Sequence, residues 1–182
     1  QGQRLNRIVD ELLDLNRIRS GKIEMRRMVF DLVPVLKACF DDHVVICEQQ
    51  NIQFEASIPD VLPDVMADLD RTTQVIVNLL NNAIKYTPSG GGVYLEAVHE
   101  KGSPMVRIFV KDTGIGIEPQ EHGLVFDEFF RTSHSRKYSG SGLGLAIVNQ
   151  IIENHGGTSK AESREAGGTI FSINLPVQDQ HK

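Results

Sequence analysis

The stretch that decides the fold is NLLNNAIKYTP, which occupies residues 78–88. It completes a predicted helix over residues 70–86, in which apolar side chains recur every three or four positions and form one broad face. The members of that face are Ile76, Leu79, Leu80, Ala83 and Ile84. The members of a narrow polar stripe on the opposite side are Arg71, Gln74, Asn78, Asn82 and Lys85, with Asn81 beside it. The pattern therefore predicts a helix with one side in the core and one polar side.

The polar stripe is unusual because three asparagines, Asn78, Asn81 and Asn82, fall within five residues. Inside a helix an asparagine costs roughly half a kcal/mol relative to alanine, and a solvated stripe would normally carry Glu and Lys. An amide oxygen can ligate a hard cation such as Mg²⁺, which prefers oxygen ligands and substrate phosphates. Lys85, a turn further along, is then placed to contact a phosphate. The stripe alone leaves open whether it lines such a pocket or simply faces solvent.

A second motif, VKDTGIGI at residues 110–117, joins the end of an apolar predicted strand to two glycines. The glycines allow the backbone to turn and to approach a ligand closely. The carboxylate of Asp112, at the strand end, can accept a hydrogen bond from an exocyclic amine such as the 6-amino group of adenine. Turns made of Asp and Gly are common, so an ordinary turn is the competing interpretation of this motif.

A third motif, GSGLGL at residues 140–145, leads directly into a predicted helix that runs from about residue 142 to 155. Glycines at a helix N-terminus expose backbone N–H groups where the helix dipole is positive, which suits an anion such as phosphate. The motif is not a Rossmann fingerprint, because no clean strand precedes it, and it is not a Walker P-loop, because no Gly-Lys-Ser/Thr follows. Taken alone, such a glycine-rich string is weak support for a phosphate site.

The segment between these glycine motifs, residues 113–141, has little periodicity and predicts a long loop, and long ordered loops are usually functional. Phe126, Phe129 and Phe130 would anchor it as a lid by plain packing. The basic side chains that follow are Arg131, His134, Arg136 and Lys137. They make the lid locally positive, which can help to hold a triphosphate, although ordinary solvated charge explains any one of them equally well.

The rest of the chain predicts an α+β fold. Helices are predicted over residues 4–19 and 31–50, strands near 52–57 and 64–67, a hairpin around the turn 101–104, and a final hairpin pairing 158–164 with 168–175. Helices followed by hairpins indicate a two-layer α/β sandwich, with one mixed sheet that carries helices on one face and with a lid over the pocket. The long N-terminal helix has a heptad seam, formed by Leu5, Ile8, Leu12 and Leu15 and widened by Val9 and Leu13, which needs a partner helix to cover it.

Bulk properties narrow the class of protein. The formal net charge of the 182 residues is -5, which argues against a nucleic-acid partner. No apolar run approaches the roughly 20 residues that span a bilayer, and no signal peptide is visible. Cys39 and Cys47 lie in one predicted helix outside any CxxC pair, so we expect reduced thiols in the core. The first residue is Gln1, so we expect a fragment of a longer protein.

In this order and spacing, the motifs resemble those of the sensor histidine kinases of two-component systems. Residues 78–88 resemble the N box of that family, 112–116 the G1 box, 126–130 the F box, 140–144 the G2 box, and 156–157 with 167–169 its glycine-rich close. The resemblance covers nearly the whole chain, and it is specific because all the boxes occur in one order. It implies the ATP-binding sandwich that is shared with gyrase, the mismatch-repair ATPases and the large heat-shock chaperones.

The resemblance implies ATP and Mg²⁺ as cofactors and a role for each matching residue. Asn82 would ligate Mg²⁺, while Asn78 and Lys85 would act in catalysis by ordering and contacting the phosphates. Tyr86 would pack near the adenine, and Asp112 would read its amino group. The further nucleotide-binding residues implied are Gly114, Gly116, Ile117, Phe129, Arg131, Gly140, Gly142, Leu143, Gly144 and Thr169.

One departure limits the resemblance. The phosphoacceptor histidine of the family lies in an earlier helix, in a motif of the His-Glu-Leu-Arg-Thr-Pro kind, and none of the six histidines here has that context. Residues 4–30, with Leu12-Leu13-Asp14-Leu15 and Ser20-Gly21-Lys22, resemble the second helix of that family's dimerisation domain, so we expect residues 1–21 to be the second helix of a truncated dimerisation and phosphotransfer domain. A linker is expected over 22–30, the ATP-binding catalytic domain over 31–176, and a polar tail over 177–182. The γ-phosphoryl group of ATP would pass to a histidine outside this chain.

The resemblance also implies partners and a location. The partners would be the phosphoacceptor helix of the same or the sister protomer and the receiver domain of a response regulator, in a full-length protein that is a homodimer. The domain would be cytoplasmic, in a parent protein anchored in the inner membrane. Two alternatives stay open, an ATP-hydrolysing switch of the gyrase and chaperone kind and an ATP-binding scaffold. The hydrolysing relatives carry a glutamate as base at the position of Asn78, and an amide cannot accept that proton.

Overall fold

The computed structural model describes residues 2–178, in which helices cover one face of a five-stranded sheet. The helices are α1 (Gly2–Arg19), α2 (Leu32–Gln49), α3 (Leu69–Tyr86) and α4 (Gly144–Asn154). The strands are β1 (Met28–Phe30), β2 (Gln53–Ser57), β3 (Val65–Ala67), β4 (Gly92–Val98), β5 (Met105–Asp112), β6 (Ser159–Ser163) and β7 (Thr169–Pro176). Two short 3₁₀ helices, Pro119–Glu121 and Ser135–Lys137, lie in the lid between β5 and α4.

The main sheet has the strand order β2-β4-β5-β7-β6. Strand β2 runs parallel to β4, whereas the other neighbours are antiparallel, so the sheet is mixed. Strands β1 and β3 form a separate antiparallel pair, which anchors the end of the predicted linker over residues 22–30. The predicted two-layer sandwich with its mixed sheet and N-terminal helix is confirmed. Within residues 2–178, no helix combines the length and the apolar character needed to cross a bilayer.

The alternation of buried and exposed side chains along the β4–β5 hairpin explains why helices cover only one face of the sheet. Val93, Leu95 and Ala97 of β4 and Val106, Ile108 and Val110 of β5 are all buried. On the other face Lys111 forms an ion pair with Glu96 at 2.6 Å and stacks over the ring of Phe109. Because successive side chains of a strand point to opposite sides, one face of the sheet belongs to the core and the other to solvent.

Helix α3 is the element that the sequence described best. All the members of its predicted apolar face are buried, at 4% exposure or less. The helix begins after Asp68, whose side chain accepts a hydrogen bond from the backbone N–H of Arg71 at 3.0 Å and so caps the helix. Cys39 and Cys47 are buried and free, as expected, and burial raises the pKa of the Cys39 thiol to about 11.

Helix α1 packs against α4 of its own chain, and that contact partly covers the predicted seam. Leu15 and the following Ile18 are buried in the main core, while Leu5, at the other end of the seam, is 63% exposed. Asp14 anchors the helix to α3 through an ion pair with Arg71 at 2.8 Å. The domain boundary expected at residue 21 stays a prediction, since α1 shares the core of the segment that follows it. Of the expected tail over 177–182, only the first two residues lie within the described part of the chain.

A buried histidine, His155, joins the end of α4 to the start of α3. Its Nδ1 lies 2.7 Å from the carbonyl oxygen of Ile151, and its Nε2 lies 2.8 Å from the backbone nitrogen of Asp68. The Asp68 N–H must donate to Nε2, so the ring is neutral with its proton on Nδ1. The bond ties together the two helices that border the lid.

Acid is expected to weaken this junction, because burial lowers the pKa of His155 below its usual 6.5. The native state then binds the proton less readily than the unfolded chain does. This contribution to stability is therefore present above pH 6.5 and declines as the pH falls from there through the lowered native pKa. Denaturant titrations should show the stability gap between wild type and His155→Gln narrowing on acidification. A gap that stays constant on acidification would contradict the role of His155.

Candidate functional site

A cavity of about 250 Å³ opens between α3, the end of β5, the lid and the glycine-rich turn before α4. Most of the site residues expected from the sequence line it. They are Asn78, Asn82, Lys85, Tyr86, Asp112, Gly116, Ile117, Arg131, Gly140, Gly142, Gly144 and Thr169. Side chains from positions nearly a hundred residues apart thus meet in one place. The cavity has a buried end at Asp112 and a polar end at the asparagines and the glycine-rich turn.

Three expected site residues do not line the cavity. Phe129 is 54% exposed and has a positive φ of 62°, and the neighbouring Phe130 lines the cavity instead. Leu143 is fully buried beneath the glycine-rich turn. Gly114 lies behind Asp112 and donates its N–H to that carboxylate at 2.8 Å. A role for these three residues in nucleotide binding stays a prediction, and the structure places them outside the lining of this cavity.

The cavity also has walls that the sequence analysis did not assign to it. These are Ile115, Val125, Phe130, Thr132, Ser135, Ser141, Leu145 and Phe171, with Asn81 from α3 and with Arg7 and Glu11 from α1. The inward alternation of β7 would have indicated Phe171, which is 5% exposed. No sequence pattern indicates Arg7 or Glu11, because they reach the cavity only through the docking of α1.

Asp112 forms the buried end of the cavity, where it is 3% exposed. Its Oδ1 accepts the N–H of Gly114 at 2.8 Å and the N–H of Thr169 at 3.3 Å. Both bonds end on the same oxygen, so Oδ2 remains for a donor in the cavity. Thr169 thus supports the carboxylate through its backbone rather than its side chain. The geometry suits recognition of an N–H group of a planar base.

Burial raises the pKa of Asp112 from 3.8 to about 6. The hydrogen bonds from Gly114 and Thr169 and the charge of Arg164 lower the pKa and oppose that rise. Desolvation is the larger effect because the neighbouring strands and α3 exclude water from the carboxyl group. Asp112 is therefore ionised at neutral pH and becomes protonated in mild acid, which ties the chemistry of this end of the cavity to pH.

Gly168 makes the position of Asp112 possible. It has a φ of +97°, and a Cβ atom there would lie 2.0 Å from the carbonyl oxygen of Asp112. Only glycine allows the turn before β7 to approach the end of β5 this closely. The approach in turn places the N–H of Thr169 on the carboxylate. The glycine thus acts on the site through the backbone.

The polar end of the cavity combines amides with a cation. Asn78 donates its Nδ2 to the carbonyl oxygen of Gly144 at 3.4 Å, which leaves its Oδ1 for the cavity. The Nζ of Lys85 lies beside Gly140, where a Cβ atom would come within 2.7 Å of it, and 4.6 Å from the ring centre of Tyr86. Asn82 lies between Asn78 and Lys85 on the same face of α3 and lines the cavity. The arrangement suits a phosphate chain with a bound cation.

Arg131 makes hydrogen bonds within the lid, and its expected role in nucleotide binding stays a prediction. Its guanidinium donates to the carbonyl oxygens of Ser135, at 2.7 Å, and of Tyr138. The ring of Tyr138 in turn meets the ring of Tyr86 edge to face, with the centres 5.1 Å apart. Arg131 therefore folds the second half of the lid onto α3, although it also lines the cavity.

The protein ligands in the cavity suit Mg²⁺ only when the phosphates of a bound nucleotide supply further oxygen ligands. Within residues 2–178, no cluster of three or more His, Cys, Asp or Glu side chains is placed to hold a metal ion. Mg²⁺ commonly keeps several waters and takes one or two protein oxygens together with substrate phosphates. Asn78 and Asn82 both line the cavity, and their amide oxygens are ligands compatible with that mode of binding.

Helix α1 closes one side of the polar end. Glu11 accepts a hydrogen bond from the hydroxyl of Ser141, in the middle of the glycine-rich turn. The hydroxyl oxygen of Ser141 also accepts the N–H of Leu143 at 3.1 Å. Arg7, which also lines the cavity, forms an ion pair with Glu11 at 3.5 Å. A carboxylate therefore stands at the turn where an anion was expected.

Comparison with known proteins identifies the family. The profile of the histidine kinase-, DNA gyrase B- and HSP90-like ATPases matches residues 67–179. The chain is 34% identical to the sensor histidine kinase WalK of Bacillus subtilis (strain 168), over 99% of this chain and 30% of that protein. The chain thus spans less than a third of the length of this curated relative, and 47% of the adaptive-response sensory kinase SasA of Synechococcus sp. (strain JA-3-3Ab).

Solved structures show the same likeness. Full-length ShkA in complex with AMPPNP has a TM-score of 0.83 and 28% identity, over 97% of this chain and 36% of that chain. Histidine kinase ThkA in complex with the response regulator protein TrrA has a TM-score of 0.78 and 27% identity, over 99% of this chain and 49% of that chain. In both cases the similarity includes α1 as well as the sandwich.

Proposed function

This chain belongs to the family of histidine kinase-, DNA gyrase B- and HSP90-like ATPases, and from that premise we propose that it is the catalytic domain of a sensor histidine kinase. In this role it binds ATP and presents the γ-phosphoryl group to a histidine supplied by another segment or chain. The observation that carries the proposal is the cavity that runs from Asp112 to the asparagines of α3 and the glycine-rich turn.

Adenine binds at the end formed by Asp112. The carboxylate Oδ2 accepts a hydrogen bond from the 6-amino group, while Gly114 and Thr169 hold Oδ1. A hydrogen bond to a charged acceptor contributes about 1.5–3 kcal/mol in a closed site. The ring lies between apolar walls that include Ile117 and Phe171. Binding of adenine thereby orients the phosphate chain toward the opposite end.

The phosphates lie between α3 and the N-terminus of α4. Lys85 contacts a phosphate, and the N–H groups of the glycine-rich turn with the dipole of α4 stabilise its negative charge. Asn78 and Asn82 are the residues that would hold Mg²⁺, which would supply positive charge against the negative charge that develops during transfer. Phosphoryl transfer relies mainly on positioning and charge stabilisation, so these groups suffice on the nucleotide side.

The acceptor comes from outside the catalytic cavity. None of the histidines within residues 2–178 lines the cavity, and His43 is buried in α2 with Nδ1 bonded to the carbonyl oxygen of Cys39 at 2.7 Å. We propose a phosphoacceptor helix of the same or a sister protomer as the first recipient, and a receiver domain as the next. The complex of ThkA with the response regulator protein TrrA supports the latter. A homodimeric parent anchored in a membrane, with this domain in the cytoplasm, belongs to the same proposal.

The experiment combines the chain with γ-labelled ATP, Mg²⁺ and a separately produced phosphoacceptor helical hairpin. We expect acid-labile label on the histidine of the added hairpin and no stoichiometric label on the chain alone. A companion reaction with the acceptor histidine replaced by glutamine should stay unlabelled. Release of phosphate to water at the same rate with or without the hairpin would instead favour the ATP-hydrolysing switch.

Replacement of Asn82 tests the metal role directly. Asn82→Ala is expected to weaken ATP binding about tenfold in the presence of Mg²⁺ and much less in its absence, because the lost oxygen is proposed to meet the cation. Asn16→Ala removes an exposed amide outside the cavity lining and is the control. Titration calorimetry with and without Mg²⁺ measures both. Equal losses under the two conditions would make Asn82 part of the pocket wall rather than a ligand.

A further inference from the structure

A carboxylate of α1 occupies the polar end of the cavity. The side chain of Glu11 is 27% exposed and receives the hydroxyl of Ser141, a residue 130 positions away in the sequence. Ser141 lies between Gly140 and Gly142, in the turn whose N–H groups are proposed to bind phosphates. The contact therefore brings a negative charge to the place that a polyphosphate has to approach.

The surroundings of Glu11 explain why it stays there without nucleotide. Helix α4 has no acidic residue in its first turn and no side-chain cap at Leu143, so its positive end has no other anionic partner in the helix. Arg7 is the cation nearest to Glu11 in sequence, but its side chain is 63% exposed and screens the carboxylate weakly. A bound triphosphate would satisfy the same end of α4 and repel Glu11.

We propose that Glu11 opposes phosphate binding at the nucleotide site and couples that binding to the docking of α1. Nucleotide binding repels the carboxylate, breaks the Glu11–Ser141 hydrogen bond and loosens the first half of α1. The inference rests on the proposed function, since it requires phosphates at the glycine-rich turn. By reciprocity, a docked α1 lowers affinity for ATP by the same factor by which ATP weakens docking.

The remaining contacts of α1 determine which part of the helix responds. Asp14 stays paired with Arg71 at 2.8 Å, and Leu15 and Ile18 stay in the core. These anchors lie in the second half of the helix, whereas Leu5 and Val9 in the first half are exposed. The helix therefore loosens from its N-terminal end up to Glu11, while its C-terminal end remains attached.

Glu11→Gln separates charge from shape, because glutamine can still accept the hydroxyl of Ser141. The variant is expected to bind Mg²⁺-ATP about fivefold more tightly at low ionic strength, the effect of removing one nearby like charge. Its affinity for adenosine, which has no phosphate, should equal that of wild type. Asp10→Asn is the matched control, since Asp10 is the adjacent acid on the same helix and is exposed. It should leave both affinities unchanged.

Hydrogen exchange provides the second measurement. In wild type, saturating Mg²⁺-AMPPNP is expected to speed exchange over residues 5–13, whereas in Glu11→Gln the increase should be much smaller. Equal affinities for ATP in wild type and Glu11→Gln, or equal tightening in Asp10→Asn, would overturn the inference and leave the proposed function intact. Weaker Mg²⁺-dependent binding in Glu11→Gln would also overturn it, by making Glu11 a metal ligand. Absence of ATP binding by wild type and variant alike would overturn the proposed function and this inference together.

Discussion

Replacing Asp112 with asparagine is expected to lower ATP affinity by about ten- to a hundredfold and at the same time to raise the free energy of unfolding. The binding loss follows from the orientation of the carboxylate. Oδ1 is held by the N–H groups of Gly114 and Thr169, so the asparagine oxygen must take that position. Its NH₂ group then replaces Oδ2 and faces the amino group of adenine, donor against donor.

The gain in stability follows from the pKa of Asp112, which burial raises from 3.8 to about 6. A carboxyl group with a raised native pKa binds its proton more tightly in the native state than in the unfolded chain. Ionisation therefore destabilises the native state above pH 6, and this cost disappears as the pH falls below 3.8. A neutral asparagine avoids the cost, so Asp112→Asn should be more stable by about 1–3 kcal/mol at neutral pH.

Denaturant titration and calorimetry of the same two proteins measure both effects. The gain in stability of Asp112→Asn should shrink on acidification below pH 6, where the wild-type carboxyl group is protonated. ATP affinity of wild type should fall over the same range. Asp60→Asn removes an exposed carboxylate and should change neither quantity. Unchanged ATP affinity in Asp112→Asn would contradict the adenine role.

Replacing Gly168 with alanine is expected to destabilise the protein by about 3 kcal/mol or more. ATP binding should be lost as well, because the turn before β7 and the end of β5 must move apart. The residue has a φ of +97°, and a Cβ atom would lie 2.0 Å from the carbonyl oxygen of Asp112. That oxygen belongs to the backbone, so it cannot move without shifting the end of β5. Thr169 would then withdraw its N–H from the carboxylate.

Gly167 provides an unusually close control. It also has a positive φ, of +90°, but a Cβ atom there would have no neighbour within 4 Å. Gly167→Ala therefore carries only the conformational penalty, roughly 1 kcal/mol. Thermal unfolding and ATP titration of the two variants separate backbone strain from close approach. Similar losses in both variants would show that the contact with Asp112 is not what requires glycine at 168.

The elements that could be predicted from the sequence are those specified by local patterns. The apolar face of α3, for example, depends only on a repeat of three and four residues, and every member of it is buried. The alternation of apolar residues in β4 and β5 is likewise a local pattern, and the apolar side chains of one face are buried. The resemblance to the histidine kinases implied that Asp112, the asparagines of α3 and the turn before α4 belong to one site, and in the structure they line one cavity.

Which of the lid residues line the cavity depends on tertiary contacts. Phe129 and Phe130 are adjacent and chemically identical, so no local pattern distinguishes them. The N–H of Phe129 donates to the carbonyl oxygen of Gly142 at 3.0 Å, and its positive φ of 62° accompanies that contact. As a result Phe130 lines the cavity and Phe129 faces solvent.

Helix α1 shows most clearly what the sequence alone does not determine. Its apolar seam indicated that the helix packs against another helix, because a row of exposed leucines is unfavourable in water. Which helix would cover it was decided only by the shape of the assembled domain, which offers α4 and the ion pair of Arg71 with Asp14. The same docking brings the carboxylate of Glu11 to Ser141, in the turn proposed to bind phosphates. Neither residue alone indicates that contact. Sequence periodicity specifies the faces of an element, whereas the pKa of Asp112 and the position of Glu11 depend on what the folded chain places against them.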